Sequence, residues 1–88
     1  MLTWKSKKNE NGKRYWQLDN EDDKSMPQLI LFVNEQHLFI ARAKNVNGSE
    51  RVINKVIGNE NTISLAQAKD LASGWLFHIQ MNPFESRK

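Results

Sequence analysis

The sequence predicts an α+β fold: three antiparallel strands packed on one C-terminal helix, with Arg14 to Leu18 as a candidate fourth, edge strand. Three observations carry this prediction. Leu29-Ile30-Leu31-Phe32-Val33 is a short apolar run of strand formers, as a buried strand requires. Asn47-Gly48 separates two strand-like stretches and is a strong hairpin signal. Leu65, Ala68, Ala72, Trp75, Leu76 and Ile79 recur at helical spacing and form an amphipathic stripe.

Each element has a local cause. Residues 1–13 are polar and basic, carry the turn signal Asn11-Gly12, and read as an N-terminal arm. Arg14-Tyr15-Trp16-Gln17-Leu18 has strand composition. The acidic stretch with Asp19, Glu21, Asp22 and Asp23, running to Met26-Pro27, reads as a loop. Gln28 to Asn34 is the buried strand, and Glu35-Gln36 is a tight connection. His37 to Asn45 is the second strand. Its alternation sends Phe39, Ala41 and Ala43 one way and Ile40, Arg42 and Lys44 the other. The small Ala41 and Ala43 leave room for a helix to lie on their side.

Glu50 to Ile57 is the third strand, ended by Gly58. Its two faces, Arg51-Ile53-Lys55-Ile57 and Val52-Asn54-Val56, are both mixed, so either can point inward. The helix then runs from about Leu65 to Gln80. Ser64 can cap its first turn, Gln67 completes a capping box, and Ile63 pins the entry angle. Pro83 disfavours helix at Asn82 and closes the segment. Burying Trp75 and Leu76 contributes roughly 1.5–3 kcal/mol per side chain. Phe77 lies beyond the stripe, where it either widens the contact or belongs to a partner surface. The chain reads as free of internal repeats.

Composition bounds the function. The 88 residues suit one domain, and 39% hydrophobic with 26% charged residues fits an ordinary globular chain. With no cysteine, neither a disulfide framework nor a thiolate metal site supports the core. No apolar run approaches the roughly 20 residues that cross a bilayer, so no membrane role is expected. The lysine-bearing N-terminus lacks the apolar stretch of a secretory signal. The formal charge is +3, with Lys5, Lys7, Lys8, Lys13 and Arg14 early and Arg42, Lys44, Arg51, Lys55 and Lys69 in the middle. The acids bunch elsewhere. Such segregation suits a polyanion, although charges of this kind also serve solubility alone.

Catalytic chemistry is hard to build from these residues. His37 and His78 sit on different elements without ligand-like spacing to acids. The acidic cluster lacks the glycine and spacing of a calcium loop. Ser64 belongs to a helix cap, and no Gly-x-Ser-x-Gly or Gly-rich phosphate loop exists. No catalytic, metal or cofactor site is therefore expected.

Binding chemistry is better supplied. The major groove admits a β-ribbon, and Arg42 and Lys44 are the right types for guanine edges or phosphates. Asn54 is a candidate for adenine, Arg51 and Lys55 for phosphates, and Ile40 for a thymine methyl. Lys5, Lys7 and Lys8 would lie on phosphates as part of the arm. Trp4, Tyr15 and Trp16, interleaved with bases, either stack on unpaired nucleotides or pack at the sheet edge.

These segments, in this order, resemble the N-terminal arm-type DNA-binding domains of phage and genomic-island tyrosine recombinases (integrases). Leu2-Thr3 is similar to their opening "LT", and Arg14 through Asp19 to an "rYwLsD" segment. Leu29 through Val33 matches their "GLyLrV" strand, and Phe39 through Lys44 follows "WrfrYR". Ile57-Gly58 fits a strand-ending "LG", Ser64 through Ala72 the "SLaeARelA" helix, and Asn82-Pro83 stands at the usual "DP". Departures are Gln28 for a glycine, Glu35-Gln36-His37 for Gly-x-Lys, Lys69 for an arginine, and the small Ala41 and Ala43. Space left by those alanines would be filled by Trp75 and Phe77.

The resemblance implies a module that binds double-stranded DNA at arm-type sites by laying its sheet in the major groove. It implies a DNA-associated bacterial cytoplasmic protein, with other integrase protomers or an accessory DNA-bending factor as further partners. It also implies that residues 1–88 are one domain of a longer integrase whose catalytic part lies elsewhere, so Tyr15 is not the recombinase nucleophile. Two other readings compete. One is a protein-interaction module using the helix face of Trp75 and Phe77; the other is an RNA-binding domain.

Overall fold

A computed structural model of the chain describes residues 2–20, 28–46 and 51–81. Five strands, β1 (Leu2–Lys8), β2 (Arg14–Asn20), β3 (Gln28–Val33), β4 (Leu38–Lys44) and β5 (Val52–Asn59), precede a helix, α1 (Leu65–Met81). The strands form one sheet in the order β1-β2-β3-β4-β5, each antiparallel to its neighbour. The α+β class is as expected, with more strands. The Asn47-Gly48 turn, the acidic residues 21–23 and the Asn82-Pro83 exit lie outside the described residues. No helix among the described residues is long and apolar enough to cross a membrane.

Within the expected arm, Leu2–Lys8 forms strand β1, and a turn follows it. Its pairing with β2 runs from Leu2↔Asn20 to Lys8↔Arg14. An edge strand has one neighbour and an open flank, and lysines there discourage pairing with another chain. Trp4, opposite Leu18, packs against the core and ties β1 to the domain.

The core lies between one sheet face and α1. Leu18, Leu29, Leu31, Phe39, Ala41 and Ala43 meet Ala68, Ala72, Leu76 and Ile79. Ala41, Ala43, Ala68 and Ala72 have no exposed surface, so small residues on both elements let the helix approach closely. The expectation that Phe77 fills this space is corrected: it stands off the stripe and is 47% exposed. Trp75 does pack against the core, partly buried.

Register settles which side of β5 faces inward. Ile53 pairs with Ala43, on the core side, and Ile57 also packs on the core. Pairing passes from Ile40↔Val56 to Phe39↔Gly58, a bulge that leaves Ile57 without an opposite number. Gly58 lets Ile63 pack closely there: an added Cβ would stand 2.7 Å from Ile63 Cδ1, so that side chain would have to shift.

The helix start is the reciprocal cap that its sequence predicts. Gln67 N donates to Ser64 Oγ at 3.1 Å, and Ser64 N donates to Gln67 Oε1 at 2.9 Å. Turns that begin at Asn9, Asn34 and Asn59 share one local device, an asparagine side chain that accepts from backbone N–H groups ahead of it. Asn9 Oδ1 accepts from the N–H groups of Asn11 and Lys13, and Asn34 Oδ1 from those of Gln36 and Leu38. Asn59 Oδ1 likewise accepts from Asn61 N at 2.8 Å. Gly12 (φ 79°) and His37 (φ 63°) take the left-handed position in their turns, a region where histidine is enriched among non-glycine residues. The His37 ring Nδ1 lies 3.0 Å from Glu60 Oε2, which links the β3–β4 turn to the β5–α1 turn.

Two outcomes follow from this packing. Ser64→Ala should lower unfolding free energy by about 1 kcal/mol in urea titrations followed by circular dichroism, with Ser64→Asp near wild type. Ala41→Leu should cost about 1–3 kcal/mol by the same measurement, because the helix leaves no room above it.

Candidate nucleic-acid interface

Antiparallel pairing places residues that face each other on the same side of a sheet, so the registers define the face opposite α1. One row across it reads Lys5, Gln17, Ile30, Arg42, Asn54. The next reads Lys7, Tyr15, Phe32, Ile40, Val56. Lys44 stands between Gln28 and Val52 at the end of β4. Among the described residues α1 is the only element packed on the sheet, and it lies on the other side, so this face is open.

Arg42 is the centre of the face. Its Nε donates to Asn54 Oδ1 at 3.0 Å, across the β4–β5 pair. Its guanidinium carbon lies 5.0 Å from the centroid of the Phe32 ring on the opposite neighbour, β3. This is cation–π distance, so the group is held from two sides. Beside it a depression of ≈ 160 Å³ is lined by Tyr15, Gln17, Gln28, Ile30, Arg42 and Lys44. A second, of ≈ 270 Å³, reaches from Arg42 and Phe32 toward Lys13 and Arg14.

Of the residues singled out in the sequence, Arg42, Lys44 and Asn54 come together on the open face. Lys5 and Lys7 share that face from β1, at the far edge. Lys5 Nζ lies 3.6 Å from Asp19 Oδ2, and Asp19 Oδ1 accepts from Gln17 Nε2 at 2.7 Å. Lys55 does not join them. It pairs with Ala41 and stands on the helix side of the edge strand, because Ile53 and Ile57 turn that side inward. Lys8, opposite Arg14, also alternates to the helix side, and Arg51 lies exposed just before β5. A single contact plane therefore excludes Lys8 and Lys55.

Sequence reasoning missed Phe32, Gln17 and Gln28 as parts of this face. In an unbroken apolar run such as Leu29 to Val33, alternation carries no signal, since both faces read alike. Val52 and Val56, 49% and 56% exposed, add uncovered apolar surface beside Asn54.

Comparisons with protein-family models, with curated proteins and with solved structures find no match for this chain.

Proposed function

We propose that the open sheet face binds double-stranded DNA in a sequence-specific way, as the arm-type DNA-binding domain of a site-specific integrase. The observation that supports this most is the alignment of Arg42, Lys44 and Asn54 on an uncovered face of adjacent strands. Dimensions refine the docking. Strands lie about 4.8 Å apart, so five strands span about 19 Å, more than the major groove's width of about 12 Å. β3, β4 and β5 together span about 10 Å and fit. Arg42, Lys44 and Asn54 then address the groove, Ile40 and Val56 meet thymine methyls, and Lys5 and Lys7 reach flanking phosphates.

A second reading draws on Tyr15 and Phe32, which are directly paired across β2 and β3 and offer stacking surfaces to unpaired bases. Preference for single-stranded RNA or DNA over duplex would select it. A role in contacts between protomers draws on Leu71 and Phe77, 52% and 47% exposed, with Trp75 turned to the core.

The test is selection from a randomised duplex library, then fluorescence anisotropy on the selected site. Arg42→Ala should reduce discrimination between sites by about ten-fold or more. Lys7→Ala should instead weaken all duplexes alike and lower the salt slope by about one. Lys55→Ala should change neither quantity. A chemical-shift titration with perturbations confined to α1 and absent from the sheet would refute the proposal.

A further inference from the structure

We infer that Phe32 and Asn54 hold the Arg42 guanidinium as a guanine-reading fork, with Asn54 acting as a positioning residue for Arg42, not as a base reader itself. The inference rests on the duplex-binding reading and says which base the centre of the face selects.

An arginine carries five N–H donors in a planar fork. In this one the Nε donor is already committed to Asn54 Oδ1 at 3.0 Å. The terminal nitrogens have no partner among the described residues. The fork left for a ligand is thus the pair of terminal nitrogens, the geometry that meets two acceptors side by side. Guanine O6 and N7 are such a pair in the major groove, whereas adenine presents one acceptor and one donor there.

The holding groups come from both neighbouring strands. Asn54 is the direct cross-strand partner of Arg42 on β5. Phe32 sits diagonally on β3, one step along the face from Ile30, the direct partner. A free arginine loses substantial rotamer freedom when it binds, and these two contacts remove much of that freedom beforehand. The depression beside Arg42, bordered by Gln17, Gln28 and Lys44, leaves space for the base edge to approach.

This arrangement changes the role expected for Asn54. Bidentate readout of adenine would need its Oδ1 to accept from the base N6 amino group while its amide donates to N7. Arg42 already takes one of the two lone pairs of that oxygen and turns the amide toward β4, so adenine readout would have to share the acceptor with the fork.

The experiment compares wild type, Asn54→Leu and Asn54→Asp on a selected duplex and on versions with each G·C pair replaced by A·T. Wild type should prefer guanine at one position by about ten-fold or more. Asn54→Leu should reduce that preference several-fold with the salt slope unchanged. Asn54→Asp keeps the acceptor, so it should keep the preference while lowering affinity for every duplex through its added negative charge. Without DNA, the Arg42 Nε–H signal should exchange more slowly with solvent in wild type than in Asn54→Leu.

Full guanine preference in Asn54→Leu, or equal exchange of that signal in both proteins, overturns the positioning role and leaves duplex binding standing. A uniform loss of affinity for all duplexes in Asn54→Leu assigns Arg42 to phosphate and overturns guanine reading. No duplex binding by wild type, or tighter binding of single strands, overturns the parent reading and this one together.

Discussion

The arrangement depends on the close approach of α1 to β4 through alanines. Ala41 and Ala43 face Ala68 and Ala72 across the core, all without exposed surface. Larger side chains at these positions would lift the helix and open the core to water. With the helix seated on that side, strand alternation alone sends Ile40, Arg42 and Lys44 to the other. A slip of one residue in the pairing of β4 would exchange the two sets, putting arginine and lysine under the helix. The burial of four methyl-bearing positions and the exposure of two cations are thus one geometric fact.

Legibility followed the range of the interactions. The helix and its cap were readable because their causes are local: a 3.6-residue stripe, and Ser64 and Gln67 three positions apart. β3 and β4 were readable from apolar content and alternation. β1 was not, since Leu2–Lys8 carries three lysines and owes its place to one neighbour and to Trp4. The inward side of β5 was also hidden. Ile53 and Ile57 share a side with Lys55, while Val52 and Val56 share one with Asn54, so hydrophobicity does not separate them. Only the register against Ala43, with the bulge at Ile57, decides it.

The candidate site divides along the same line. Arg42 and Lys44 could be placed on the outward side of one strand from that strand's own pattern. The contacts that make Arg42 distinctive involve Phe32 and Asn54, one strand away on either side. Those depend on how far each strand slides against the next, and the turns fix that distance. Asn34 holds the β3–β4 turn through two accepted backbone N–H bonds, with His37 in a left-handed conformation that ordinarily favours glycine. Neither feature announces a register in the sequence, though together they set which side chains meet across it.

The open face also bears on whether its cations serve only to keep the chain soluble. A solvated sheet face ordinarily alternates toward polar residues. Here Tyr15, Ile30, Phe32, Ile40, Val52 and Val56 share it with Lys7, Arg42 and Lys44. Leaving a valine uncovered forgoes part of the roughly 1.5–3 kcal/mol that full burial of such a side chain provides. Solubility would favour replacing these residues with threonine or glutamate. A face that combines uncovered apolar groups with a restrained guanidinium is what the proposed duplex partner would require, since a DNA groove presents methyl groups, paired acceptors and flanking phosphates. The apolar members of the face therefore support the proposed duplex partner as much as the cations do, and would centre its contacts on β3, β4 and β5.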